Sequence, residues 1–203
     1  PDAWRESCCS SPSPACRVTD MDAADVDVTL VEVLFTEEQI QQKLAAMAMQ
    51  IEADYAGKDI LLVGVLRGAV MVMADLSRAL GRHVEMDWMA VSSYGSGTKS
   101  SGVVRILKDL DTDINGRHVL IVDEIIDTGL TLRWLTSNLA SRNPASVEIC
   151  TLLRKPEALR TTIDVKYVGW DIPNEFVVGY GLDYQERYRN LRDIATLSPS
   201  VYS

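Results

Sequence analysis

Two short apolar runs, each followed by a helical pattern, constrain the fold of this chain more than any other feature. Ile60–Leu66 consists of aliphatic residues and one glycine, and 118–122 (HVLIV) is almost as apolar. Strands of this composition are buried on both faces, as in a parallel sheet that helices cover. The other predicted elements are helices over about 70–80 and after residue 131, and strands over 84–92, 103–108, 147–154, 165–170 and 176–184. This order predicts an α/β fold with a mostly parallel central sheet flanked by helices.

Ordered structure is predicted to begin near residue 30. Thr36 and Gln39 have the spacing of a capping box, in which each side chain accepts a hydrogen bond from the other residue's backbone amide. Apolar residues then recur at helical spacing over Ile40–Ile51. The pattern predicts an amphipathic helix that ends before Gly57.

The first 29 residues differ in composition from the rest of the chain. Residues 1–20 are rich in Ser, Pro and Cys and have no periodicity, and Met21 opens a more ordinary acidic segment. We expect residues 1–29 to form a disordered N-terminal extension and residues 30–203 to form one domain. We also expect that residues 1–20 do not belong to the native chain, which an intact-mass measurement of the native protein tests.

The charge of the chain disfavours two classes of partner. The sequence has 29 acidic and 20 basic residues, a net charge of −9, and residues 1–33 alone hold seven acids and two bases. Binding to nucleic acid or to an anionic membrane is disfavoured, because basic patches drive both. No apolar run approaches the roughly 18–20 residues of a membrane span. Cys150 is the only cysteine after residue 16, which fits a reducing compartment and predicts the cytoplasm.

A polar loop separates two predicted strands. Residues 92–102 consist of Ser, Gly, Thr, Lys and Tyr, which bury too little apolar surface to pack into a core. A loop of this length in a compact domain is commonly functional. Because the strand-like segment 103–108 follows at once, we predict a long hairpin with a flexible loop and no domain boundary.

The segment 119–131 (VLIVDEIIDTGLT) carries the candidate chemistry. Its apolar strand ends in Asp123 and Glu124, and the turn Asp127–Gly129 then leads into a helix. Ligands of open α/β sheets bind beyond the carboxyl ends of the strands, and turn amides at a helix N-terminus bind phosphate. The acids suit sugar hydroxyls or a divalent metal, and the chain has no P-loop, so the pattern predicts a sugar-phosphate site. Taken alone, the acids could equally be a solvated strand end.

This segment and four others resemble the type I phosphoribosyltransferases and, among them, the hypoxanthine-guanine phosphoribosyltransferases. Segment 119–131 is similar to the family's phosphoribosyl-diphosphate motif. The other matching segments are the pyrophosphate loop at Leu66–Ala69, the flap at Ser93–Tyr94, the purine-binding Lys155, and the C-terminal hood at 171–191. The resemblance covers about residues 30–202. It implies the type I phosphoribosyltransferase fold, with a small C-terminal hood and a flexible flap loop.

The resemblance also implies an activity. Enzymes of this kind transfer the 5-phosphoribosyl group from phosphoribosyl diphosphate to hypoxanthine or guanine with the help of Mg²⁺, and they form IMP or GMP and pyrophosphate. The reaction is a step of purine salvage. Cleavage at the anomeric carbon leaves an oxocarbenium-like sugar and a highly charged leaving group, so charge stabilisation should dominate catalysis. The family further implies a homodimer or homotetramer.

Each matched residue receives an expected role from the resemblance. The expected ligands of phosphoribosyl diphosphate are Leu66, Arg67, Gly68, Ser93, Tyr94, Asp123, Glu124, Asp127, Thr128, Gly129, Leu130, Thr131 and Arg189. The expected purine contacts are Lys155, Phe176, Val177 and Asp183, and the expected Mg²⁺ ligands are Asp123, Glu124 and Asp183. Asp127 is expected to act as the general base at the purine N7. Lys155 is expected to donate to the 6-oxo group, which disfavours adenine, and the peptide bond before Arg67 is expected to be cis.

Three alternatives stay open. The family's acid pair is usually Glu then Asp, whereas this chain has Asp123 then Glu124, so a direct, water-mediated or metal-mediated ribose contact is undecided. A preference for xanthine or adenine is an alternative within the enzyme class. A non-catalytic regulator of transcription with the same fold is the alternative outside it. The acidic charge and the presence of Asp127 and Tyr94 argue against the regulator.

Overall fold

The structure, a computed structural model, describes residues 29–93 and 104–202. Nearly all of the expected extension 1–29 lies outside the described residues, as do Tyr94, the side chain of Ser93 and most of the expected flap loop. The elements are β1 (Leu30–Phe35), α1 (Glu37–Asp54), β2 (Ile60–Leu66), α2 (Val70–Ala79), β3 (Glu85–Ser93), β4 (Val104–Lys108), β5 (His118–Ile126), α3 (Leu130–Ala140), β6 (Ser146–Arg154), a 3₁₀ turn (Pro156–Ala158), β7 (Tyr167–Asp171), β8 (Val177–Val178), β9 (Ile194–Leu197) and α4 (Pro199–Tyr202).

A six-stranded sheet forms the centre of the domain, in the order β4-β3-β2-β5-β6-β7. Its strands run parallel except for β4, which pairs antiparallel with β3 at one edge. The predicted α/β fold with a mostly parallel sheet is confirmed, and so is the hairpin from β3 to β4. Strand β5 is longer than its apolar run, because its pairing with β6 continues past Asp123 to Ile126. The prediction that this strand ends at the acids is therefore wrong, since both acids lie within it.

Alternate residues of the central strands supply two hydrophobic cores, one on each face of the sheet. Leu62 and Leu120 belong to the core that α1 and α2 cover, and Leu61 and Ile121 belong to the core that α3 covers. All four side chains are fully buried. Burial on both faces is the physical reason for the continuous apolar runs in the sequence. It holds the carboxyl ends of β2, β5 and β6 at one edge of a rigid sheet.

Helix α1 begins at the predicted capping box. The Gln39 amide donates to the Thr36 hydroxyl at 3.4 Å, and the Thr36 amide donates to Oε1 of Gln39 at 2.9 Å. Ile40, Leu44 and Ile51 are fully buried on the inner face of the helix, as their spacing predicted. Among the described residues, no helix has the length and apolar character needed to cross a membrane.

A second sheet, antiparallel and in the order β1-β9-β8, forms the hood. Its strands come from both ends of the domain, so β1 joins a hood that we expected from C-terminal residues alone. Of the predicted strand 176–184, only Val177–Val178 is a strand, and the rest of that prediction is wrong. The chain leaves the strand because Gly179 and Gly181 adopt φ angles of 97° and 100°, which lie outside the conformation of a β-strand.

Candidate active site

One pocket at the carboxyl edge of the central sheet holds the predicted sugar-phosphate residues. Its volume is about 220 Å³, and its lining residues are Val65, Asp123, Glu124, Ile125, Ile126, Asp127, Thr128, Gly129, Thr131 and Leu132. Six of the predicted ligands of phosphoribosyl diphosphate are in this lining. We call Asp123 and Glu124 the acid pair, and Asp127–Thr131 the phosphate turn.

The phosphate turn connects β5 to α3. Its N-cap residue is Gly129, with a left-handed φ of 77° that glycine adopts at little cost. Since glycine has no side chain, the N-cap has no group of its own that competes for the first amides of α3. Those amides have no partner within the helix and lie at the positive end of its dipole. The turn therefore offers an anion site of the kind that binds phosphate.

The acid pair places two carboxyl groups side by side in a poorly solvated environment that disfavours their charged forms. Burial raises the pKa of Asp123 well above its usual range, and the adjacent Glu124 carboxylate adds to that shift. Burial also raises the pKa of Glu124, although hydrogen bonding to Asp123 and the charge of Arg189 oppose this effect. The Glu124 Oε2 atom is buried and has no hydrogen-bond partner. A cation or a ligand hydroxyl is the partner that this arrangement fits.

The pyrophosphate loop, Leu66–Ala69, runs directly beside the acid pair. The peptide bond between Leu66 and Arg67 is cis, as the resemblance implied. A Cβ atom on Gly68 would overlap the Glu124 carboxylate, and a Cβ atom on Gly181 would overlap the Gly68 carbonyl oxygen. The loop is thus packed between β5 and the hood. A side chain at Gly68 would require the Glu124 carboxylate or the loop to move, and one at Gly181 would require backbone to move.

The hood brings a second arginine to this loop. Arg189 donates from Nη1 to the carbonyl oxygen of Gly181 at 2.8 Å, and its Nη2 lies 2.7 Å from Oδ1 of Asp183. Nη1 of Arg67 lies 3.0 Å from Oε2 of Glu186, and the same oxygen lies 3.5 Å from Nη2 of Arg189. Both arginines that were predicted to bind the diphosphate therefore contact one acidic side chain.

Both carboxylate oxygens of Asp183 have partners within the hood. One of its carboxylate oxygens contacts Arg189, and the other accepts from the Glu186 amide at 2.9 Å. Within residues 29–93 and 104–202, no three His, Cys, Asp or Glu side chains form a group that could hold a metal. The expected set of three carboxylate ligands is therefore not preassembled. Mg²⁺ is commonly held by one or two carboxylates together with water and substrate phosphate oxygens, and the acid pair fits that mode.

Lys155 lies at the end of β6, beside the end of β5. The residue is buried, at 7% exposure, and its backbone amide donates to the Ile126 carbonyl oxygen at 2.9 Å. Burial lowers the pKa of Lys155, and the Asp127 carboxylate opposes that shift. The two charged groups are therefore close enough to interact electrostatically, although Lys155 is not in the lining of the pocket that holds Asp127.

Phe176 lies among the aromatic rings of the hood. It stacks on Tyr202 with ring centroids 5.1 Å apart and meets the edge of Tyr184 at 5.6 Å. Val177 is buried in β8, opposite Thr196 of β9. Neither Phe176 nor Val177 lines the pocket that holds the acid pair, so their purine contacts stay predictions from the resemblance.

Two residues that contribute to the site, Gly181 and Glu186, are not among the site residues predicted from the sequence. A signal for Gly181 was present, because paired glycines inside an apolar run indicate a close backbone approach or a break in the strand. Glu186 has no such signal, since its contact with Arg67 joins residues that are 119 positions apart.

Comparisons with known proteins identify the family. Residues 31–185 match the phosphoribosyl transferase domain. The chain is 58% identical over 176 residues to the hypoxanthine-guanine phosphoribosyltransferase of Mycobacterium tuberculosis (strain ATCC 25618 / H37Rv), and the match covers 84% of this chain and 87% of that protein.

Two solved structures share this fold. The hypoxanthine phosphoribosyltransferase of Staphylococcus aureus has a TM-score of 0.83 and 50% identity, over 86% of this chain and 95% of that chain. A mutant of the Trypanosoma cruzi hypoxanthine phosphoribosyltransferase, solved as a ternary substrates complex, has a TM-score of 0.82 and 45% identity, over 86% and 99% of the two chains. Together with the pocket geometry, these matches show that the chain belongs to the phosphoribosyltransferase family.

Proposed function

We propose that this protein transfers the 5-phosphoribosyl group of phosphoribosyl diphosphate to hypoxanthine or guanine, and so forms IMP or GMP and pyrophosphate in purine salvage. The observation that carries the proposal is the pocket in which the acid pair lies beside the N-terminus of α3. One side of that pocket suits ribose hydroxyls and the other suits a 5′-phosphate. The relatives named for hypoxanthine and guanine support the choice of acceptor base.

The three binding segments divide the sugar diphosphate among them. The phosphate turn binds the 5′-phosphate through its amides and through the hydroxyls of Thr128 and Thr131. The acid pair holds the ribose, and the pyrophosphate loop binds the diphosphate with Arg67 and Arg189 as counter-charges. This division places positive groups where negative charge grows as the anomeric bond breaks, which is how a preorganised site lowers such a barrier.

Mg²⁺ is the cofactor that the acid pair fits. Two observations support this choice: the Glu124 Oε2 atom is buried without a hydrogen-bond partner, and burial raises the pKa of both carboxyls, so their charged forms lack the partner that a divalent cation would supply. We propose that Asp123 and Glu124 hold the ion, with Asp183 contributing through the hood. When bound, Mg²⁺ neutralises charge on the diphosphate and makes it a better leaving group.

The purine is bound between Lys155 and the hood in this proposal. The Lys155 ammonium group donates to the 6-oxo oxygen of hypoxanthine or guanine, and Asp127 accepts the proton that the base loses as it attacks. Phe176 stacks on the ring, and Val177 contacts its edge through backbone groups. Adenine presents an amino group at the same place, so two donors would face each other without an acceptor, which disfavours binding.

The family and the chain's chemistry support a proposal for the assembly and the compartment. We propose a homodimer or homotetramer in the cytoplasm, with residues 1–29 as an extension outside the domain formed by 30–203. The buried Cys150 thiol, whose pKa burial raises to about 12, is unreactive and compatible with a reducing compartment. Ser93 and Tyr94 are proposed to close over the sugar and to exclude water from the reactive centre.

A direct assay tests the proposed reaction. Purified protein with Mg²⁺, phosphoribosyl diphosphate and hypoxanthine should form IMP and pyrophosphate in equal amounts, and omission of Mg²⁺ should stop both. Chromatography of the nucleotide together with an enzymatic pyrophosphate assay measures the two products. Binding of phosphoribosyl diphosphate without nucleotide formation from hypoxanthine or guanine would contradict the proposal and favour a regulatory protein.

Substitution of Gly68 with alanine should disable the site without unfolding the protein. The added methyl group would overlap the Glu124 carboxylate, so the pyrophosphate loop or the acid pair must move. A displacement of about 1 Å at such a site can cost about a hundredfold in rate, and we expect kcat/KM for phosphoribosyl diphosphate to fall by that order. Gly81→Ala is the matched control, because the nearest atom to its new Cβ is the end of the Glu52 side chain at 3.2 Å. Equal loss in both variants would show that the site geometry is not the cause.

A further inference from the structure

Glu186 is the one side chain that contacts both arginines of the diphosphate site within the described residues. Its Oε2 atom lies 3.0 Å from Arg67, which belongs to the pyrophosphate loop, and 3.5 Å from Arg189 of the hood. The carboxylate therefore lies between two cations that the diphosphate also needs. An anion that binds both arginines has to displace this carboxylate or share them with it.

The backbone around Glu186 fixes it at this place. Tyr184 and Arg187 exchange backbone hydrogen bonds at 3.2 and 3.0 Å, and the two residues between them, Gln185 and Glu186, have φ angles of 52° and 61°. Left-handed φ at both central positions describes a type I′ turn, which favours Asn and Gly. Turn propensity therefore does not explain a glutamate here.

The ion pair between Glu186 and Arg67 is exposed to solvent, so another anion can replace the Glu186 carboxylate. The Glu186 side chain is 61% exposed and the Arg67 side chain 71% exposed. Ion pairs of this exposure are weak and are lost readily to a more highly charged competitor. Arg189 is less mobile, because Gly181 and Asp183 also hold it, so Arg67 is the cation that a diphosphate would most easily take from Glu186.

We infer that Glu186 is a counter-charge that competes with pyrophosphate for Arg67 and Arg189, and that it thereby limits how tightly the protein retains this product. The inference rests on the proposed function, since it takes the pyrophosphate loop as the site of the leaving group. Glu186 is a positioning residue and makes no bond to the reacting atoms. It returns to the arginines as pyrophosphate leaves, so the cations are neutralised after each turnover and the product is released faster.

The test is the affinity for inorganic pyrophosphate. Glu186→Gln should tighten pyrophosphate binding by about threefold to tenfold, the range expected from loss of one or two exposed ion pairs. Isothermal titration calorimetry measures the dissociation constant, and product inhibition of the forward reaction measures the same quantity during turnover. The difference between variant and parent should shrink at high salt, because the competing charges are exposed. The KM for hypoxanthine should not change, because the Glu186 carboxylate contacts the two arginines of the diphosphate site, neither of which is a proposed purine ligand.

Glu85→Gln is the matched control. It removes the same charge from an ion pair in which Glu85 lies 2.7 Å from Arg117, at the opposite edge of the sheet. Unchanged or weaker pyrophosphate binding in Glu186→Gln, or equal tightening in Glu85→Gln, would overturn the inference. Thermal unfolding of Glu186→Gln tests whether the variant is folded. Glu186→Ala removes the same charge with a different side chain and should tighten pyrophosphate binding in the same direction. Calorimetry decides the role of Glu186 even without turnover, whereas absence of turnover in the unaltered protein contradicts the proposed function itself.

Discussion

Replacing Asp127 with asparagine is expected to lower kcat by about a hundredfold to ten-thousandfold, the range that general acid–base catalysis contributes. Affinity for phosphoribosyl diphosphate should change little. Asparagine keeps the size of the side chain and one acceptor oxygen, but it cannot take the proton that the purine loses. The amides of the phosphate turn and the hydroxyls of Thr128 and Thr131 remain in place, so the sugar phosphate keeps its binding groups.

Two measurements separate these effects. Steady-state kinetics with hypoxanthine gives kcat, and calorimetry with phosphoribosyl diphosphate gives the affinity. Asp59→Asn is the control, because Asp59 is an exposed aspartate between α1 and β2, at the other edge of the sheet. If Asp127→Asn weakens binding of phosphoribosyl diphosphate as much as it lowers kcat, Asp127 is a ligand of the phosphate and not the general base.

Replacing Lys155 with methionine should lower activity with hypoxanthine without lowering the stability of the fold. We expect kcat/KM for hypoxanthine to fall by about tenfold to a hundredfold, which is the usual value of a hydrogen bond from a charged group. The preference for hypoxanthine over adenine should fall with it, because the donor that rejects the amino group is gone. Stability should not fall and can rise, since burial lowers the pKa of Lys155 and methionine removes a charge that is costly to bury.

Kinetics with both purines and a thermal melt test this pair of expectations. Lys58→Met is the control, because Lys58 is an exposed lysine between α1 and β2. Its ammonium group donates to the Asp54 carbonyl oxygen at 3.2 Å and lies 5.8 Å from the centroid of the Tyr55 ring. A large drop in melting temperature would mean that Lys155 holds the fold. Unchanged selectivity with an intact fold would mean that it does not contact the 6-oxo group.

The parts of the fold that local sequence determines were predictable. Strands β2 and β5 are covered on both faces, and this burial requires the apolar residues that revealed them. The start of α1 was predictable because the capping box joins Thr36 to Gln39, only three positions away. The pocket was predictable for a related reason. The acid pair and the phosphate turn are adjacent in the chain, and parallel strands place their carboxyl ends at one edge.

The parts that distant contacts determine were not predictable from the sequence. The hood pairs β1 with β9, so that Leu30 lies opposite Leu197, and no local pattern indicates that partner. The run 176–184 has the composition of a strand, but Gly179 and Gly181 turn the chain over the pyrophosphate loop. The contact between Arg67 and Glu186 arises from that path. The acid pair's metal ligation and the purine contacts of Phe176 and Val177 still rest on the resemblance.

The most direct test of the proposed enzyme is an initial-rate panel with hypoxanthine, guanine, xanthine and adenine at equal concentrations, with Mg²⁺ and phosphoribosyl diphosphate in excess. The buried Lys155 donor and the pocket that joins the acid pair to the phosphate turn predict rapid conversion of hypoxanthine and guanine to their nucleotides. Adenine should react at least about a hundredfold more slowly, because a site built to donate to an oxygen rejects an amino group. No turnover of hypoxanthine or guanine, or a preference for adenine, would contradict the account.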